Sequence, residues 1–263
     1  MNTATLTMPA PTTMSLARRL RAYAMEARFE LVRTARAPVF LFPMLVLPVM
    51  LYLFFGVVLV GQHGPPDPKI ALLVFSGFAM FSVVGPGMFG FGIGLAIERQ
   101  SGALTLKRAL PMPAGSNLLA KLFAAMVLAS VVVALLLPIA TLYGHVTMNG
   151  AQIARFAVVA VLGVVPFCAL GLLIGSFVSG TAAPGVVNLL YFPMIYLSGL
   201  FPFPLPKAMQ TAAVIWPAFH LNQLGLAAVG LPTAIDPRIA ATVLVVLTVV
   251  CIGLAMRRLE RVG

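Results

Sequence analysis

Apolar positions run along this chain in long blocks, each closed by a short polar or proline–glycine segment. A block of about 20 apolar residues is enough to cross a bilayer. Six blocks approach or exceed that length, at residues 37–60, 69–97, 118–144, 153–178, 184–203 and 237–256. Their boundaries carry the expected punctuation. Gly61–Pro68 reads as a turn throughout, and Asp236-Pro237 pairs an N-cap with a proline at the first helical position. A shorter apolar stretch, Leu205–Trp216, is bracketed by Pro206 and Pro217 and is too short to cross. That length predicts an interfacial or re-entrant helix. The last block is followed by a basic tail, 257–263.

Ahead of the first block the period changes. Leu16, Leu20, Tyr23, Ala24, Ala27 and Leu31 recur at helical spacing behind Ser15, a suitable N-cap. Arg18, Arg19, Glu26, Glu30 and Arg33 fall elsewhere on the wheel. Segment 15–36 therefore reads as an amphipathic helix lying on a membrane, or as one docked on another domain. Residues 1–14 are polar and are expected to be disordered. They lack the charged-then-apolar pattern of a cleaved signal.

Composition agrees with the blocks. Of 263 residues 61% are hydrophobic and 9% charged, where soluble domains carry about 25% charged. Mean hydropathy is +1.05. The predicted fold class is an all-α integral membrane protein with six transmembrane helices. The net charge of +11 would ordinarily suggest nucleic acid. Here the basic residues sit in short segments beside apolar blocks, where they set orientation. With the N-terminus inside, 13 of the 17 Lys and Arg fall on the cytoplasmic side. Both termini are then cytoplasmic, membrane lipids are partners, and nucleic acid is not.

Candidate chemistry is sparse. Cys168 and Cys251 have no metal-ligand spacing, and His63, His145 and His220 have no second ligand at helical distance, so no metal site is expected. Gly85-Pro-Gly-Met-Phe-Gly90 matches GxGxxG but lies inside an apolar block, where a kink is the better reading. Gly90/Gly94 and Gly171/Gly175 have the spacing of helix contacts. No phosphate-binding P-loop occurs. The six carboxylates, Glu26, Glu30, Asp67, Glu98, Asp236 and Glu260, all lie outside the middle of a block. Ion-coupled transport usually needs an intramembrane acid, and hydrolysis needs a base beside a nucleophile. Neither is present, so no catalytic residue is expected and any uphill transport must draw its energy from another chain. The charged segment after the second block can serve as a lever whose Glu98 and Arg99 pair with a soluble partner. It can equally be an ordinary basic loop.

Glu98-Arg-Gln-Ser-Gly-Ala-Leu-Thr-Leu-Lys-Arg-Ala-Leu-Pro-Met-Pro, with Lys121 opening the next block, resembles the signature of type-2 ABC exporter permeases. Ala103 replaces the usual threonine. Tyr196-Leu-Ser-Gly-Leu-Phe-Pro, then Leu205-Pro, then Trp216-Pro-Ala-Phe-His-Leu, is similar to the family's fifth span, outer re-entrant helix and following element. Phe219-His220 departs from the usual Thr-Tyr there. The resemblance covers roughly Ser15 to Met256.

The resemblance implies a bacterial inner-membrane exporter in which two six-span subunits pair, most simply as a homodimer. A separate ATPase chain, carrying ATP and Mg, docks on each. Coupling to it falls to Glu98, Arg99, Gly102, Leu104, Lys107, Arg108 and Lys121. The interfacial helix, with Arg18, Arg19, Glu26, Glu30 and Arg33, contacts the same partner. The path or gate is expected in the first, second and fifth spans, at Pro48, Gly85, Pro86, Gly87, Asn188, Ser198 and Phe201. Asn188 and Ser198 also read as plain helix–helix hydrogen bonding. With 18 Phe against five Tyr and one Trp, an apolar or amphipathic cargo such as a drug, antibiotic or lipid is expected. A polysaccharide or glycolipid exporter of the same family, and an ATP-independent transporter or channel, are the alternatives.

Overall fold

The fold is taken from a computed structural model, which describes residues 15–62, 64–109, 115–201 and 206–262. The expected disordered stretch 1–14, and His63, Pro111, Pro113, Phe203 and Leu205, lie outside the described residues. Among the described residues the chain is helical, without strands. Helix α1 (Leu16–Ala35) is capped by the Ser15 hydroxyl, which accepts from the Arg18 N–H at 3.4 Å. Helix α2 runs over Pro38–Leu51 and continues over Tyr52–Leu59 in wider π turns. Pro48 has no N–H to give and crowds the carbonyl one turn back, which loosens a helix. The wide turns begin four residues later.

Helix α3 spans Pro68–Gln100, with Asp67 accepting from the Lys69 N–H at 2.7 Å. Its 33 residues make a rod of about 50 Å, longer than a hydrocarbon core of about 30 Å. It is the most buried helix, and it too is π-wound, over Pro86–Ile93. The corner to the short α4 (Ala103–Ala109) is turned by Gly102 at φ 76°, a left-handed conformation that glycine adopts without strain. Next come α5 (Ser116–Leu142) and α6 (Gly150–Phe177), the latter opened by a reciprocal Asn149–Gln152 capping box.

The expected fifth span is interrupted. Helix α7 (Ala183–Leu197) stops six residues before position 203, giving a length of about 22 Å. Gly199, at φ 67°, reverses the backbone. The short α8 (Lys207–Ala213) falls inside the stretch 205–216 expected to be interfacial or re-entrant, and α9 (Pro217–Val229) follows it. Helix α9 packs into the bundle against α3, α6 and α10. It ends where the Gln152 amide donates to the Val229 carbonyl at 2.7 Å, beside the start of α6. Helices α7 and α9 together therefore make the remaining passage from one end of the bundle to the other. Helix α10 (Pro237–Val262) is capped by Asp236 and stays helical through residues 257–262 of the expected tail.

Among the described residues five helices are long and apolar enough to cross a membrane, and α7 is a shorter apolar helix. This is a multi-pass membrane protein. One end of the bundle gathers α1, the end of α3, α4, the start of α5 and the ends of α6 and α10. There Arg258 lies 5.3 Å from the Phe177 ring. This is called the basic end below.

Helix α6 meets the π-wound part of α3 at backbone distance. A Cβ at Gly171 would sit 2.8 Å from the Gly87 carbonyl oxygen, and one at Gly175 2.6 Å from that of Gly92. The Gly171/Gly175 pair is thus a helix contact, while a Cβ on Gly94 would meet nothing within 4 Å. Small residues allow such approach, and dispersion contacts then accumulate along both backbones.

Candidate functional site

At the basic end, six charged residues and one amide close a polar ring. Helix α1 contributes Glu26, Glu30 and Arg33, because a spacing of three to four residues places them on one face. Helix α3 contributes Glu98, α4 contributes Lys107, and α5 contributes Asn117 and Lys121, again one turn apart. Lys121 Nζ donates to Glu98 Oε1 at 2.8 Å and to Glu30 Oε1 at 2.9 Å. The Arg33 guanidinium pairs with Glu98 and lies 3.4 Å from Glu30 Oε2. Lys107 Nζ donates to Glu26 Oε1 at 3.0 Å and to Asn117 Oδ1 at 2.7 Å. Asn117 closes the ring by donating to Glu98 Oε2 at 3.3 Å.

Three carboxylates face three cations, so the cluster is neutral. That balance matters because Lys121 is 4% exposed, Glu98 4% and Glu30 7%. A buried charge is tolerated only when paired and hydrogen-bonded. Glu98 lies just past the 69–97 span. Burial alone would raise its carboxyl pKa, but Lys121, Arg33 and Lys107 outweigh burial and hold it down at about 2. For Arg33, burial works against the charge, yet Glu98 and Glu30 hold the guanidinium above its ordinary value.

Six residues expected for coupling or for the interfacial helix are therefore joined to one another: Glu26, Glu30, Arg33, Glu98, Lys107 and Lys121. Within this chain Glu98 and Arg99, the two residues considered for pairing with a soluble partner, are engaged by its own helices. Glu98 is spent on the ring, and Arg99 donates to the carbonyls of Ser176 and Val178, capping the end of α6. Cations there complement the last unpaired carbonyls and the helix dipole. The outward surface at this end is instead made by Met25, Phe29 and Leu106, all exposed, with Lys107 5.9 Å from the Phe29 ring. Leu104 is half-buried against the core, Arg18 and Arg19 are exposed, and Arg108 falls on α4. Asn117 was missed by the sequence reading. Its only signal is a position one turn ahead of Lys121.

The second feature is an apolar cavity of about 290 Å³ between α2, α3 and α7. Pro43, Met44, Leu47 and Pro48 form one wall, Phe81, Ser82, Gly85, Pro86 and Phe89 another, and Tyr191 and Phe192 the third. Pro48, Gly85 and Pro86, three of the expected path residues, line this cavity. The other residues expected for the path do not line it. Gly87 packs on Phe167 and Cys168, and the Phe201 ring packs on Phe78 and Phe81 at 5.4 and 5.3 Å. Asn188 is half-buried and outside the cavity wall. Ser198 is buried, its hydroxyl donating to Met194 and its carbonyl accepting from Asn222 at 3.4 Å. Asn222, absent from the sequence reading, also donates to the Gly199 carbonyl at 2.9 Å and so ties α9 to the end of α7.

Comparison with known proteins covers both features. A family profile described as "ABC-2 type transporter" matches residues 23–229, from α1 to the end of α9. A Bacillus subtilis (strain 168) protein named "Putative transport permease YvfS" is 25% identical over 195 residues, 73% of this chain and 79% of that relative.

Proposed function

We propose that this chain, which belongs to the ABC-2 type transporter family, is the permease subunit of an ATP-driven exporter for apolar or amphipathic small molecules. Membership makes it a transport permease and associates it with an ABC ATPase. Export as the direction, the cargo class, pairing with a second permease subunit and residence in a bacterial inner membrane are our own reading.

The observation that carries it is the neutral buried ring. A force applied from outside to α1 or α4 reaches α3 and α5 through paired charges that cannot separate cheaply in a dry environment. Met25, Phe29 and Leu106 offer an apolar surface beside that ring, suited to a soluble ATPase. The sequence carries no P-loop pattern, and we assign ATP and Mg to the partner. The cavity supports the cargo class, since its wall is aliphatic, proline and aromatic, with the Tyr191 and Ser82 hydroxyls as its few polar groups.

The test is co-purification from the native host in detergent, with ATPase activity read on the eluate. An ABC ATPase that co-elutes, and loses association when Phe29 and Leu106 are both changed to Asp, supports the reading. A single chain without ATPase overturns it in favour of an ATP-independent transporter or channel.

A further inference from the structure

We infer that the π-wound segment Pro86–Ile93 is a slip joint, passing movement between the ion ring and the apolar cavity. This deepens the permease reading and rests on it.

Helix α3 is pinned on both sides of the segment. Toward the basic end, Glu98 is held by Lys121 and Arg33, Arg99 by the carbonyls of Ser176 and Val178, and the Gln100 side chain by the Thr181 N–H at 3.3 Å. Toward the other end, Gly77 lies so close to the Leu200 carbonyl that no Cβ fits, and a Cβ at Gly225 would sit 2.9 Å from Ser76 Oγ. Movement imposed at Glu98 must therefore be taken up between these anchors.

The segment between them is built to take it up. A π turn closes its hydrogen bonds one residue later than an α turn, so it carries slack that an α-helix lacks. Pro86 explains why α winding fails at its own position, where its N–H is missing. It does not explain why wide turns persist to Ile93. The contact with α6 favours movement as well. Gly87 and Gly92 meet Gly171 and Gly175 backbone to backbone. The four glycines bring no side chain of their own to this contact, so winding can change there without glycine rotamers being forced, and the buried Met88 and Phe91 and the Phe89 ring, 5.0 Å from that of Tyr191, are the side chains that move with it.

The segment also touches both features it would connect. Pro86 and Phe89 line the 290 Å³ cavity. Pro86, Gly90 and Phe91 line a second cavity of about 30 Å³ whose far wall includes Glu30, Thr34 and Lys121. Pro86 is common to the two. Shifting the slack by one residue moves the chain by about 1.5 Å along the axis and turns it by about 100°. That is enough to withdraw Phe89 from the cavity wall while Glu98 stays on Lys121.

The test compares the permease–ATPase complex in lipid nanodiscs, nucleotide-free and trapped with ATP and vanadate, by amide hydrogen exchange. We expect exchange over residues 87–97 to change at least tenfold between the two states, with 124–136 of α5 unchanged. Equal exchange over 87–97 in both states overturns the slip joint. A second arm deletes Gly90, which removes the surplus residue and leaves the anchors on either side in register. The deletion is expected to keep basal ATP hydrolysis within twofold and to abolish the nucleotide-dependent change over the remaining residues of 87–97. Persistence of that change in the deletion overturns the proposal. If the deletion does not assemble, the wild-type comparison decides alone. Absence of any ATPase in the purified material removes the permease reading, and this inference with it. An ATPase that is present and active beside unchanged exchange removes the slip joint only.

Discussion

Lys121 and Glu98 meet at 2.8 Å although 23 residues separate them, and each is almost completely buried. Lys121 also holds Glu30, so one ammonium answers two carboxylates. Replacing it by Met removes the cation and leaves both acids in a dry site with Arg33 as their remaining direct ion pair. Breaking a buried pair in this way costs about 3–5 kcal/mol. Lys121→Met should therefore lower the thermal midpoint in detergent and broaden the size-exclusion peak. Adding Glu98→Gln restores neutrality and should recover part of the loss. If the double variant is as unstable as the sum of its singles, the two residues are not coupled.

The same pair predicts a pH window. The Glu98 carboxyl falls from an ordinary 4.5 to about 2 in the folded protein. A depressed carboxylate contributes stability that is fully present above its unfolded pKa and is lost as pH falls through the folded one. The gap in thermal midpoint between wild type and Glu98→Gln should thus be the same at pH 7 and pH 5, and shrink below about pH 4.5. The single tryptophan, Trp216, gives a fluorescence readout. A gap that already collapses between pH 7 and pH 5 would show that Lys121 and Arg33 do not hold Glu98 ionised.

The residues of this site were legible in the sequence, but their pairing was not. Six ring members stood out because charge is rare in such an apolar chain. What joins Glu30 to Lys121 and Arg33 to Glu98 spans 91 and 65 positions, and no local period encodes that. The long helices were legible because a bilayer demands blocks of fixed length. Ser15 and Asp236-Pro237 marked helix starts correctly. The break at Leu197 was not foreseen, since hydropathy counts composition and not the left-handed turn at Gly199. Helix α9 was missed because His220, Asn222 and Gln223 interrupt its apolar run. Pro217 at its first turn and Gly230, left-handed at φ 82°, were the signals available. Of the π turns only a kink at Gly85-Pro86-Gly87 was legible, and not the winding that continues to Ile93, because an apolar block reads alike in either winding.

Glycine at 171 is required by space. A Cβ there would lie 2.8 Å from the Gly87 carbonyl and 3.0 Å from the Gly92 nitrogen, backbone atoms that cannot swing aside. Gly171→Val should destabilise the fold by about 1–3 kcal/mol through overpacking. It should also lower the yield of monodisperse protein. Gly94→Val, where a Cβ meets nothing within 4 Å, is the matched control and should be nearly neutral. Equal behaviour of the two would mean that α3 and α6 are not in backbone contact.

The cavity makes the sharpest demand on the cargo reading. Leu47 is 49% exposed and lines the 290 Å³ space, so an indole at position 47 can enter the cavity without disturbing the buried core. Leu47→Trp should leave the thermal midpoint and basal ATP hydrolysis of the complex unchanged within about twofold. A lipophilic dye that stimulates hydrolysis in the wild type should lose that stimulation by about tenfold, or about 1.4 kcal/mol of binding. Tyr191→Phe changes the chemistry and not the volume, removing one of the few hydroxyls in an apolar wall. Its effect should be confined to cargo that offers a hydrogen-bonding group, with purely apolar dyes untouched. If both variants stimulate as the wild type does, the space between α2, α3 and α7 is not on the path. A cargo route along another face of the bundle then has to be sought.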